Sequence, residues 1–461
     1  MRKKLKRFII FILCFIAGTI MVPAIVSGAD ASSDIINIYC YNDLEKIKDN
    51  PSASYRLMSD IDFTDKDWEP VDFSGSFDGN GHALLNVKVT STTKETRLTY
   101  DGNMISYDTH FAGFFGIVEN ASIKNLKLLG IEVDVTTKED CFAACLAGFM
   151  ENSQIDSCEI YGKVTLKVQD KMFGVGGIAG FGNGSIKNTD ANTTLVCVDE
   201  DKENKDEQFM GGAYCAGYID LDGNTITIDG YDSDHGYVHD GGLVGMYILY
   251  PAGTSYSGYI NNNKVKGTIH FFEDNTDRRA YCSECVGEVM NWTYDFSGNT
   301  TDFTRDEVFD YSKDLYPHGN CENTEFRTTQ SPATCDEYGY TNYICDTCAY
   351  AYKGNFTPKQ HVVRQWAEFR EATATEVGLN SGECSLCGET VYEEAGFDTS
   401  KELDDKDEAA TKVKEEKQIS KLPIIIIIVI VALFLTVLII RTYNINKRKK
   451  RRRKKNTNSR R

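Results

Sequence analysis

Between residues 55 and 300 the apolar positions tend to recur at every second residue, and no segment settles into a helical period. In "GKVTLKV" (162–168), Val164, Leu166 and Val168 fall on one side and the lysines on the other; "GTIHF" (267–271) repeats the alternation. Period two predicts strands. Glycine-apolar boxes punctuate them: "GFFG" 113–116, "LAGF" 146–149, "GGIAG" 176–180, "GAYCAG" 212–217, "GGLVG" 241–245 and "SECVG" 283–287. Their closing glycines lie 28 to 42 residues apart, the mark of one repeating turn with loops of variable length.

A second element follows several boxes: "SIKNLKLLG", "QIDSCEIYG", "SIKNTDANT" and "YINNNKVKG". In each, an isoleucine is followed two places on by Asn or Ser. Every unit thus holds two or three short strands between glycine or asparagine corners. One such rung cannot bury its apolar side alone, whereas stacked rungs bury a continuous core. The predicted fold class is all-β, a right-handed parallel β-helix, with a sandwich or propeller as the alternative. Asn125, Asn188 and Asn262 occupy matching places and are expected to stack as an amide ladder. Glycine is expected where φ turns positive or where rungs pass close together.

The ends of the chain add a membrane. "MRKKLKR" precedes the apolar run Phe8 to Val26, and small residues follow in "SGADAS", the order of a secretory signal. Leu422 to Ile440 carries no charge, and its 19 residues would span roughly 28 Å as a helix, one hydrocarbon core. The basic run after it marks a cytoplasmic side and would meet anionic lipid. Seventeen of the 50 basic residues lie in 1–29 and 441–461, while all 68 acidic residues lie between, leaving that part at a formal −35. Such a surface excludes a nucleic-acid partner and attracts cations.

The segment "YRLMSDIDFTDKDWEPVDFSGSFDGNGHALLNV" (55–87) resembles the opening turns of bacterial surface proteins with GLUG-type repeats. Tyr55, Leu57, Asp60, Ile61 and Asp62 match the family's first strand, and Trp68 and Pro70 its corner. Phe73, Gly75, Phe77, Asp78, Gly79, Asn80, Gly81 and His82 match the segment after it. "GFFG", "GGIAG" and "GGLVG" resemble the repeat core; Cys215 and Cys285 inside their boxes depart from it. The resemblance covers roughly residues 55–300 and implies a cell-surface β-helix, often adhesive or structural.

From 318 to 395 the composition shifts to cysteine. "SPATCDEYGYTNYICDTCAYAY" aligns with "EATATEVGLNSGECSLCGETVY", with Cys335 in the first half facing Ala374 in the second. The pattern resembles tandem knuckle-like repeats of Gram-positive surface proteins. Three chemistries fit. Cys335, Cys345, Cys348 and His361 would complete a tetrahedral zinc site, or Cys345, Cys348, Cys384 and Cys387 a four-thiolate one. Exported cysteines also pair as disulfides, and 14 remain once Cys14 leaves with the signal. A redox dithiol is the third reading. Apart from structural zinc, no cofactor is expected. "CFAAC" (141–145) is read as a local bridge or as free thiols.

The chain thus divides into a signal peptide (1–29), an N-terminal cap (30–54), the repeat β-helix (55–310), a Cys-rich tandem module (318–395), an acidic spacer (396–421), a transmembrane helix (422–440) and a basic cytoplasmic tail (441–461). The expected protein is a single-pass, membrane-anchored surface adhesin or structural protein, binding glycan, host matrix or cell wall, and not an enzyme. Tyr247, Tyr250, Tyr256 and Tyr259 are candidates for stacking on sugars, or for covering the core. The enzymatic alternative is a polysaccharide lyase or hydrolase using Asp232, Asp234, His235, His239 and Asp240, for which two carboxylates must face one sugar. Asp78 and His82 in "DGNGH" are read as turn-capping groups rather than an acid–base pair. A sensor with a partner at the tail is a third class.

Overall fold

The structure is a computed structural model and describes residues 35–95, 109–169, 171–199, 207–232, 237–248, 258–272, 281–290, 295–309, 325–348 and 350–399. Its strands form three large sheets of 13, 9 and 7 strands, named A, B and C here, and two small antiparallel sheets of 3 strands each. One turn of chain visits C, then A, then B: Cys141–Ala144, Ala147–Asp156, Glu159–Val168. The next follows the same path through Phe173–Gly176, Ala179–Lys187 and Asp190–Asp199, each strand parallel to its counterpart. The fold is therefore a parallel β-solenoid of the right-handed type, with about five turns.

Stacking sets like over like. Inside sheet A, Phe77, Ile123, Ile155, Ile186, Leu221 and Ile260 form one buried column. Val164, Leu166 and Val168 point inward as the alternation predicts. At roughly 25 cal/mol per Å² of apolar area, this interior is the main stabilising term.

Two kinds of corner separate the sheets, and each uses its residues differently. The glycine boxes turn the chain from C to A where rungs nearly touch: a Cβ on Gly212 would sit 2.2 Å from the Gly242 carbonyl oxygen. From A to B, one residue per turn adopts the left-handed conformation: Asn125 (φ 52°), Ser157 (55°), Asn188 (49°), Gly223 (70°), Asn262 (57°) and Gly298 (70°). Glycine and asparagine tolerate it best, and Ser157 is the exception among the six.

The expected amide ladder is displaced by one residue. Asn125, Asn188 and Asn262 do not bond one another, because Ser157 and Gly223 interrupt their column. Instead each donates Nδ2 at 3.0 Å to an aspartate one turn earlier, Asp78, Asp156 and Asp222 respectively. The stack runs through the next position, which faces inward. Asn224 donates its backbone N–H and its Nδ2 to Asn263 Oδ1 at 3.0 and 2.9 Å, and Asn263 does the same to Asn299 at 2.9 Å. Thr189 N–H joins it at Asn224 Oδ1.

At the N-terminus, Ile36–Ile38 adds an edge strand to sheet A, and the short helix Tyr41–Glu45 with the following 3-10 turn buries Leu44 and Ile47 against the first turn. Trp68 stacks on Phe114 at 4.8 Å and donates Nε1–H to its carbonyl at 2.7 Å, tying the Trp-x-Pro corner to the first glycine box.

The Cys-rich segment folds back along the solenoid, which nothing in the sequence announces. Its first half is the meander Arg327–Ser331, Gly339–Ile344, Ala351–Thr357; its second is Ala367–Arg370, Gly378–Glu383, Thr390–Gly396. Phe356 covers Leu85 and Leu129 on the outer face of sheet B. Asn86 accepts from Phe356 N–H at 3.0 Å and donates to its carbonyl at 2.8 Å, while Lys353 N–H donates to Tyr161 Oη at 2.7 Å. The second half reaches the N-terminal cap, where Arg370 donates to both oxygens of buried Asp43 at 3.0 Å and Tyr39 packs on Phe369 and Tyr392. This returning strap, up to Ala372 and again over Glu376–Gly396, shares one compact unit with the solenoid.

Among the described residues no helix is long and apolar enough to cross a membrane. The signal segment 1–29, the run 422–440 and the tail 441–461 lie outside them.

Candidate functional site

The "DGNGH" stretch is a corner. Asp78 Oδ1 accepts the Asn80 N–H at 3.0 Å and the Asn125 amide, and its Oδ2 meets Arg56 at 3.2 Å. His82 Nδ1 lies 3.4 Å from Asp60 Oδ1, which also accepts from Ala83 N–H and the Tyr338 hydroxyl. Burial alone would raise the Asp60 pKa, but the bonds from His82, Ala83 and Tyr338 outweigh it and hold the carboxyl below its ordinary value. Asp60 is thus a fastening point for the strap.

The acidic stretch 229–240 is turned largely inward. Asp232 continues the interior column Val135, Leu166, Cys197, and Asp240 the column Ala143, Val175, Met210; both are fully buried. Their neighbour Cys197 has its thiol pushed well up, by burial first and then by these carboxylates. His239 faces the other side of its strand and stacks on Phe209 at 5.2 Å, extending an aromatic column with Phe111 and Phe142. Burial lowers its pKa to about 4. Successive residues of one strand point to opposite faces, so His239 and Asp240 do not converge on one substrate. Asp234 and His235 lie outside the described residues.

Sequence reasoning passed over a cluster on the outer face of sheet B. Asp229 Oδ1 lies 3.2 Å from His270 Nε2, its Oδ2 accepts from Tyr231 Oη at 3.0 Å, and the Tyr231 and His270 rings stack at 4.6 Å. These three are paired across adjacent strands (Tyr231 opposite His270). Their 41-residue separation hid that pairing.

Of the candidate tyrosines, Tyr247 is fully buried in the core and serves to cover it, while Tyr259 is half-exposed with Lys187 Nζ 5.6 Å from its ring. Tyr250 and Tyr256 lie outside the described residues. Cys141 and Cys145 are buried free thiols, both raised by burial, so "CFAAC" forms no bridge.

The Cys-rich residues group differently from either four-ligand set expected. Cys335, Cys384 and Cys387 have their Sγ atoms within 4.8 Å of one another, as do the ligand atoms of His361, Cys387 and Glu389. Cys345, buried, and Cys348, exposed, belong to neither group. The meander explains this. Cys345 and Cys348 sit in the turn after Gly339–Ile344, and Cys335 in the loop before it, at the opposite end of a 6-residue strand. Such a strand is about 20 Å long. The returning strand Ala351–Thr357 carries His361 to the end where Cys335 lies, and Gln360 N–H bonds the Thr334 carbonyl there at 2.9 Å. The hairpin turn of the second half, with Cys384 and Cys387, meets them at that end. Backbone N–H groups of Cys387 and Leu386 aim at Cys384 Sγ and hold its pKa down at about 6.

A shallow groove of about 470 Å³ crosses the outer face of sheet A. Ser54, Ser76, Ser122 and Gln154 come into register across four strands to form its floor, and Asn120 and Asn152, both left-handed at φ 53° and 47°, flank it. No titratable side chain lines it. Period-two reading marks these positions as outward-facing, but only the register assembles them. No protein family and no curated protein matches the chain, so the likeness to GLUG-type repeats and to knuckle modules rests on the residues quoted for it.

Proposed function

We propose that the chain is a membrane-anchored bacterial surface protein, of a Gram-positive organism, whose solenoid binds neutral glycan of matrix or cell wall without cleaving it. The observation that carries this reading is the groove on sheet A, a row of hydroxyl and amide groups on a chain that is otherwise strongly acidic. Hydroxyls and amides both donate and accept, as sugar hydroxyls do. Glycosidic cleavage through carboxylates needs two of them across the bond, and this lining has none. The inward orientation of Asp232 and Asp240 further disfavours the enzymatic alternative. The basic start, the apolar run Leu422 to Ile440 and the basic tail support anchoring with the solenoid outside and contact of the tail with anionic lipid.

The test is retention of the full chain, in detergent, on immobilised neutral glycans and wall preparations. Replacing both Ser122 and Gln154 by Arg should cut retention at least tenfold while leaving the thermal transition in place. Retention unchanged by the double replacement, or new reducing ends released from the glycan, would overturn the reading.

A further inference from the structure

We propose that Cys335, His361, Cys384 and Cys387 together hold one tetrahedral Zn²⁺ that joins the two halves of the strap. Zinc bonds of about 2.3 Å to sulfur and 2.0 Å to nitrogen put sulfur ligands roughly 3.8 Å apart and sulfur and nitrogen about 3.5 Å apart. The three Sγ atoms lie within 4.8 Å of one another, and His361 Nδ1 is 3.4 Å from Cys387 Sγ. The three sulfurs need only a small contraction around an ion, while His361, close to Cys387 but not within 4.8 Å of all three sulfurs, must swing in to complete the tetrahedron. The set mixes halves: the first supplies Cys335, the second supplies the Cys-x-x-Cys turn, and the connecting segment supplies the imidazole.

Three further features belong to a metal site rather than to a disulfide. The other ring nitrogen of His361 faces Glu389 Oε2 at 3.8 Å, the carboxylate–histidine arrangement that orients an imidazole toward a metal. Val362 N–H points at Cys384 Sγ at 3.4 Å, a donor suited to a sulfur that stays anionic. A disulfide would use two of the three sulfurs and leave the third, with the histidine, unemployed. The repeat supports the same set, since Ala374 stands where a cysteine equivalent to Cys335 would be and the second half must borrow that ligand.

The consequence is mechanical. The first half is fastened to sheet B through Phe356 and Asn86 and the second to the cap through Arg370, so the ion sits at the joint of a clasp that runs over the solenoid. The inference is independent of any glycan binding.

The test uses the full chain purified in detergent without chelators, reconstituted with cobalt(II) in place of zinc. The expected result is the visible spectrum of a tetrahedral site with three thiolates. It should disappear in Cys335→Ala and persist in Cys348→Ala. His361→Cys should keep the metal and strengthen the thiolate charge-transfer band, a gain that a misfolded variant would not show. Glu389→Gln should keep the spectrum and weaken affinity 10- to 100-fold, about the effect of losing such an outer partner. A spectrum that survives Cys335→Ala, one that vanishes in Cys348→Ala, or peptide mapping that finds Cys384 in a disulfide would each overturn the proposal.

Discussion

The solenoid and its strap solve the same problem by opposite means. In the solenoid every turn lays its strands on the previous one in parallel register, and columns such as Phe77 to Ile260 bury one another. Nothing but repetition is needed. The strap has two small antiparallel meanders whose described buried hydrophobic residues are Cys345, Phe356, Val377, Leu379 and Cys384. A core of that size does not hold a domain by itself. It depends on borrowed surface, Leu85 and Leu129 beneath Phe356 and Asp43 beneath Arg370, and on sulfur chemistry at its joint. Repetition makes a structure that stands alone; the strap is held by its attachments.

The contrast breaks most severely at a box glycine. Gly212→Val would drive a side chain into the Gly242 carbonyl and Ile226 and should cost more than about 4 kcal/mol, read as loss of the denaturation transition. Next comes the inner amide stack. Asn263→Ala strips the acceptor from two buried donors of Asn224 and should cost roughly 2–4 kcal/mol in chemical denaturation. Its exposed neighbour sharpens the point: Asn262→Gly keeps the left-handed corner and should stay within about 0.5 kcal/mol.

A strap substitution should behave differently in kind. Arg370→Ala removes the bidentate partner of buried Asp43; it should open the second meander to protease while the solenoid melts at its usual temperature. Simultaneous loss of both would show that the strap is part of the core.

The most gradual effect is a pH slope, spread over the range between the ordinary and the folded pKa of His239. The imidazole of His239 is lowered to about 4 by burial, against 6.5 ordinarily. Burial disfavours the charged imidazolium, so the unfolded chain takes up this proton at a higher pH than the folded one and acid favours unfolding. Stability is therefore full above about pH 6.5 and falls by about 1.4 kcal/mol per pH unit down to about 4. His239→Phe keeps the stack on Phe209 and should flatten that part of the stability profile.

What the sequence made legible follows the same division. Period two, the glycine boxes and the Asn, Ser or Gly corners are local signals repeated many times, and each marks a real strand or turn. The position of the ladder is not legible to the residue, because in "YINNNKVKG" three asparagines stand together, and only backbone conformation separates Asn262, left-handed and exposed, from Asn263, inward and buried. The strap's return was invisible. Asn86 and Phe356 are 270 residues apart, and each is ordinary where it stands. The proximity of Cys335 to Cys384 and Cys387 is not legible in the spacing, because a meander sends alternate loops to opposite ends. The groove on sheet A arises from register alone, which no single repeat displays.

The division itself can be measured directly by hydrogen exchange on the full chain, with and without a zinc chelator. The account predicts that chelation speeds exchange in Gly378–Glu383 and Thr390–Gly396 while amides in Ala147–Asp156 and Glu159–Val168 keep their protection. Equal loss of protection in both regions would contradict it, since the solenoid would then owe its stability to the strap. No change in either would contradict it as well, by removing the metal from the joint.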